Sequence, residues 1–182
     1  MRDILLMKFV RFILLILISI SFLFQFAHAA NRHWLYPNKI RTYIPPNHKR
    51  TVMMKHAFER WTRLTDRKIM FYYVSSPNAA QLKVNFVTQI PNADREIGLT
   101  KSYFTSTDKI SRAEILIAEK TVSGRQLNDD AVFTVMLHEI GHALGIGEHS
   151  NNPESIMYAT EDDKQEILQS DLQNLYNIYG WK

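Results

Sequence analysis

Between Asn128 and Gly145 the chain spells a helix that is apolar on almost every side, with three ionisable residues set inside it. Val132, Phe133, Val135, Met136, Leu137, Ile140, Ala143 and Leu144 cover most of the circumference. A helix of that kind has to be buried at the centre of a fold. Asn128 is placed to cap it, Asp129 and Asp130 fall in the first turn where the helix dipole favours acids, and Gly145 is placed to end it. The ionisable residues are His138, Glu139 and His142. Burying them without partners costs stability, so the surrounding structure must be built around them.

The string His138-Glu-Ile-Gly-His142 states what those partners are for. Histidines at i and i+4 project from one helix face, so both imidazoles can reach a single ion. Zinc accepts neutral imidazole nitrogens, and an open coordination position keeps a water whose pKa falls toward neutrality. Glu139 stands beside the first histidine, where its carboxylate can take the proton from that water and later pass it to a leaving amine. Neither the histidine pair nor the glutamate is a hydrolytic device alone.

The rest of the chain surrounds this helix with strands. Ile40–Ile44 alternates and stops at Pro45-Pro46, which reads as a strand. Residues 49–64 carry Met53, Ala57, Trp61 and Leu64 at helical spacing, an amphipathic helix lying on a sheet. Ile69–Val74, Leu82–Val87, Ile97–Phe104 and Ala113–Ala118 read as further strands, with a polar loop over 105–112. Ser170-Asp-Leu-Gln173 fits a capping box opening a last amphipathic helix that Gly180 stops. The expected fold is α+β: a mixed, twisted sheet of about five strands. It carries an N-terminal helix, the buried helix with the histidines, and a C-terminal helix.

Residues 1–29 stand apart. Arg2, Lys8 and Arg11 precede the apolar run Phe12–Phe24, and Ala27-His28-Ala29 supplies small residues at the right distance. This reads as a secretory signal peptide, leaving 30–182 as one domain that is secreted or periplasmic. The run is short for a membrane span. Without residues 1–30 the formal net charge of +4 falls to +2, with the remaining charges interspersed. That gives nucleic-acid binding no support. The sequence has no cysteine, which excludes thiol nucleophiles, cysteine zinc fingers and iron–sulfur clusters.

After the helix the chain continues Ala143-Leu-Gly-Ile-Gly-Glu-His149 and then Ser150-Asn-Asn-Pro-Glu-Ser-Ile-Met157-Tyr158. Together with His138–His142 this resembles the metzincin clan of zinc endopeptidases, whose zinc motif ends in a third histidine and is followed by a Met-turn. Within the clan the chain is most similar to the matrixins, the matrix-metalloproteinase family. Ala57-Phe-Glu-Arg-Trp61, Phe133–His138 and Leu168–Gly180 resemble the family's first-helix signature, the approach to the zinc helix and the closing helix. The resemblance implies one catalytic zinc held by His138, His142 and a third ligand. It implies Glu139 as the residue that activates water on the metal for attack on a peptide carbonyl, and Met157 as hydrophobic support beneath the site. It also implies that the edge strand from Ile97 to Phe104 pairs with a protein or peptide substrate in extended conformation. Residues 158–168 would then wall the pocket for the residue after the cut; the apolar start and end of that segment imply a preference for aliphatic or aromatic side chains there, and its acidic middle disfavours acidic ones.

The chain departs from the family in three ways. It has no cysteine to act as a propeptide switch. Phe104–Arg112 stands where animal members have an Asp- and Gly-rich loop for structural calcium and a second zinc, so those metals are not carried over and calcium is left unknown. The zinc motif carries one extra residue: counting on from Gly145 gives Glu148 as the third ligand, whereas counting back from Met157 gives His149. Imidazole chemistry favours His149, with the insertion absorbed at Gly147. The expected protein is an exported zinc metalloendopeptidase, monomeric and without stable membrane association once its signal is cleaved. The alternative is a catalytically weak zinc-binding recognition module on the same scaffold, and a non-proteolytic zinc hydrolase is a third reading of the motif.

Overall fold

A computed structural model of the protein describes residues 32–92, 95–160 and 165–182. The expected signal peptide lies outside the described residues. Among the described residues no helix is long and apolar enough to cross a membrane.

Strand β1 (Ile40–Tyr43) leads through helix α1 (Thr51–Leu64) to β2 (Phe71–Tyr73), then to β3 (Leu82–Val87), β4 (Gly98–Phe104) and β5 (Ile110–Ala118). Helices α2 (Asp129–Ala143) and α3 (Gln169–Tyr179) follow. The five strands form one sheet in the order β2-β1-β3-β5-β4. β1 is parallel to β2 and to β3, and β3 is parallel to β5; β4 alone runs antiparallel, paired with β5 along its whole length. β4 is therefore an edge strand, as expected, and its outer backbone groups face away from the sheet. The expected α+β class with a mixed five-stranded sheet is what the chain forms.

One face of the sheet is buried under α1 and α2. In β5 the inward residues Ala113, Ile115 and Ile117 are fully buried, and in β3 so are Leu82 and Val84. From α1 come Met54, Ala57, Phe58 and Trp61, all fully buried. The helix is thus turned by one residue from its expected face: Met53 and Leu64 are only partly buried, and Met54 and Phe58 take their places. Both sets follow the helical period, and the second wins because it adds the bulk of Phe58. Full burial of a side chain that size contributes about 1.5–3 kcal/mol. Trp61 Nε1 donates to the Leu137 carbonyl at 3.0 Å, joining α1 to α2.

Three local expectations shift. The loop expected over 105–112 closes sooner, because Ile110 is buried and starts β5. The strand expected over 69–74 is confined to 71–73, with Ile69 buried beside it. The last helix starts before Ser170, with Leu168 at the cap position. There the Asp171 Oδ2 accepts from the Leu168 N–H at 2.9 Å, so the acid that stabilises this helix start lies one residue after the expected serine. Asn128 caps α2 as expected, its Oδ1 accepting from the Ala131 N–H at 2.7 Å.

Candidate metal centre

Helix α2 is buried from Thr134 to Gly141, and both His138 and Glu139 lie in that stretch. Its C-terminal end is held by side chains from remote segments. The Ala143 carbonyl accepts from Trp34 Nε1 at 2.8 Å, and the Leu144 carbonyl accepts from the Tyr179 hydroxyl at 2.9 Å. These two donors satisfy carbonyls that a helix end leaves without intrahelical partners. Burial raises the Tyr179 phenol, so it remains a donor at any ordinary pH. Gly145 then turns the chain with φ of 113°, and a Cβ there would collide with the Arg32 carbonyl oxygen. Position, conformation and close approach all require glycine.

His138 and His142 each have one ring nitrogen anchored. His138 Nδ1 donates to the Ile156 carbonyl at 2.7 Å, and His142 Nδ1 donates to the Ile146 carbonyl at 2.6 Å. A carbonyl only accepts, so each Nδ1 carries the proton and each Nε2 of the neutral ring presents a lone pair. Those two Nε2 atoms lie 3.0 Å apart, and the His149 Nε2 lies 3.3 Å from that of His142. Tetrahedral zinc with Zn–N bonds of about 2.0–2.1 Å sets its nitrogen ligands about 3.4 Å apart. Lone pairs converging at such spacing repel one another unless a cation lies between them. The donor set therefore fits a zinc ion.

The protonation state fits as well. Burial pushes the His138 imidazole below its usual value, with a further push from His149. Burial, followed by the neighbouring His138, takes His142 down to about 4. Both rings are neutral near pH 7, which is the form a metal needs.

Residues 150–158 form a floor tied to α3. The Met157 sulfur lies against Gly141, where any Cβ would strike it. The Met157 N–H donates to Ser155 Oγ at 3.0 Å, and the Ser155 hydroxyl donates to Asp171 Oδ1 at 2.6 Å. Ser155 and Asp171 are both buried. The carbonyl that orients His138 belongs to Ile156, inside this same segment. A chain of bonds thus runs from the final helix through the floor to the first histidine.

Glu139 is buried, with Thr100 of β4 donating its hydroxyl to Oε2 at 2.6 Å. Sequence reasoning singled out neither Thr100 nor Gly98. The available signal was the strand alternation that sets positions 98 and 100 on one face of β4, together with the small residue at 98.

The sequence-predicted residues His138, His142 and His149 come together: one potential ligand atom from each lies within 4.8 Å of the others. Glu148 is exposed and stands outside that cluster. Gly147 does not have positive φ, so no glycine-only conformation marks the extra residue of this turn. The acidic residues 161–163, expected to line the pocket after the cut, lie outside the described residues.

Comparisons with known proteins bear on the family and the fold. A sequence model of the family described as Matrixin matches residues 33–180. Matrix metalloproteinase-15 of Homo sapiens is 41% identical over 64 residues, which cover 33% of this chain and 9% of that protein. Probable matrix metalloproteinase 095L of Invertebrate iridescent virus 3 is 44% identical over 54 residues, 29% of this chain and 15% of that one. The matched stretch is thus a small part of these curated relatives. Among solved structures, myroilysin has a TM-score of 0.54 at 15% identity, covering 82% of this chain and 96% of its own. Archaemetzincin from Methanopyrus kandleri has a TM-score of 0.52 at 10% identity, covering 83% and 97%. At those identities the likeness is one of fold.

Proposed function

The chain belongs to the matrixin family, and we propose that it is an exported zinc endopeptidase cleaving extended peptide segments of protein substrates. The observation that carries the reading is the convergence of three imidazole Nε2 atoms, with a buried glutamate next in sequence to the first of these histidines. His138, His142 and His149 would hold the metal, with Glu148 turned to solvent. Zinc, when bound, polarises a carbonyl and makes water acidic enough to lose a proton near neutral pH. Glu139 is the base that receives this proton and the acid that returns it to the departing amine. The unpaired side of β4 offers backbone donors and acceptors to an extended substrate. Residues 1–29 would direct export, and the folded domain would act as a monomer on protein substrates.

Purified residues 30–182 should hold about one zinc per chain and cleave members of an unbiased peptide library. Glu139→Ala should keep the metal and lose turnover. A variant as fast as the parent removes Glu139 from the mechanism. Zinc binding with no cleavage of any peptide favours a recognition module on the same scaffold.

A further inference from the structure

The edge strand and the proposed base touch at two points. Thr100 Oγ1 lies 2.6 Å from Glu139 Oε2 and 2.9 Å from the Glu139 backbone carbonyl. A hydroxyl has one proton to give, and the carboxylate is the closer and more strongly charged acceptor. Two residues earlier, Gly98 faces the same side chain. A Cβ at position 98 would stand 2.5 Å from Glu139 Oε1, 2.6 Å from Val135 Cγ1 and 2.7 Å from Glu139 Cγ, so the strand lies against this stretch of α2 as a whole. Gly98 lacks positive φ, so the glycine there is explained by this close approach and not by backbone conformation. One residue donates to the carboxylate and the other leaves room for it to lie against the strand.

We propose that Thr100 is a positioning residue for Glu139. Its hydroxyl fixes the rotation of the carboxylate, and the missing side chain at Gly98 lets that rotation exist. The inference rests on the proteolytic reading and deepens it. β4, the strand that would carry the substrate backbone, also sets the base, so peptide and proton acceptor share one reference frame. Backbone pairing along β4 governs how tightly a peptide is held. The Thr100 hydroxyl governs how well the base is aimed once the peptide is there.

These two roles separate in the kinetics. Thr100→Val keeps the shape and the strand preference and removes only the hydroxyl. It should lower kcat about tenfold or more, since misaiming a general base forfeits part of its contribution. KM should stay within about twofold and zinc content at the parental value, because the metal ligands are untouched; Tm should fall modestly, since the buried carboxylate loses a donor. Thr100→Ser restores the hydroxyl and should recover most of the lost kcat. Gly98→Ala presses on the carboxylate from the other side and on Val135 beside it, and should lower both kcat and Tm.

A crystal structure of metal-free Thr100→Val gives a readout independent of activity. The Glu139 carboxylate should leave its position beside residue 100 in the valine variant and keep it in the serine variant. A valine variant with parental kcat, or with an unmoved carboxylate, overturns the proposal. So does a serine variant as slow as the valine one. If the parent itself cleaves no peptide, the proteolytic reading falls, and the positioning role is decided by the two crystal structures alone.

Discussion

His138 and His142 reach the candidate centre from inside a buried helix, whereas His149 reaches it from an exposed turn. The first two have their Nδ1 atoms locked on carbonyls at 2.7 Å and 2.6 Å. Among the described residues His149 shows no such anchor; its ring is placed by contacts with the other two imidazoles, 5.3 Å from His138 and 5.1 Å from His142 between centroids. The helical pair is part of the fold's interior and is held before any ion arrives. The third histidine is held by the geometry of a turn, and an ion between the three rings would fix it. A centre built this way has a rigid half and an adaptable half.

The largest effect should follow from breaking the rigid half. His138→Ala removes a ligand, empties buried space and leaves the Ile156 carbonyl without its donor. Zinc affinity should fall by several orders of magnitude and Tm should drop even in metal-free protein, as read by chelator competition and calorimetry. A metal-free variant with parental Tm would show that His138 plays no part in the interior.

Breaking the adaptable half should separate metal from fold. His149→Ala should weaken zinc by about a hundredfold or more while metal-free Tm stays within about 2 °C of the parent, since an exposed side chain with no carbonyl anchor among the described residues contributes little. Glu148→Ala should leave both zinc affinity and Tm unchanged. The reverse pattern would make Glu148 the ligand.

How much of this contrast was legible in the sequence follows the same division. The helical half was readable because period, capping residue and terminating glycine all sit within one short segment, and i, i+4 spacing alone places two rings on one face. Helix α1 was readable as a helix but not in its rotation, since 53-57-61-64 and 54-57-58-61 both satisfy the period and packing against the sheet chooses between them. The turn carrying His149 gave two conflicting counts, because an inserted residue changes the path without leaving a pattern. The contact between Thr100 and Glu139 joins residues 39 apart in sequence; strand alternation sets positions 98 and 100 on one face but does not say which helix residue meets them. The start of α3 was misplaced because Ser170 offers a good capping side chain, yet Asp171 is drawn toward Ser155 and fixes the helix start.

A smaller effect sharpens the link between the floor and the rigid half. Asp171→Asn keeps the shape but replaces a carboxylate that accepts from both the Ser155 hydroxyl and the Leu168 N–H. Loss of a buried charged acceptor should cost about 1–3 kcal/mol in chemical denaturation. Zinc should dissociate faster, because the segment bearing Ile156 and Met157 loosens under His138. Unchanged stability would mean that the floor is held by backbone contacts alone.

At the far end of α2 the effect should fall on stability and spare the metal. Trp34→Phe leaves the buried Ala143 carbonyl without its indole donor and removes buried volume, and should cost about 1–3 kcal/mol. Zinc affinity should not change, since both helix-borne ligands keep their anchors.

The most direct measurement is a crystal structure of residues 30–182 grown with zinc, with the metal located by anomalous scattering at the zinc edge. A single strong peak should lie between the Nε2 atoms of His138, His142 and His149, at about 2.0–2.1 Å from each. A Glu148 carboxylate bonded to that peak in place of His149, or no peak among the three imidazoles, would contradict the account.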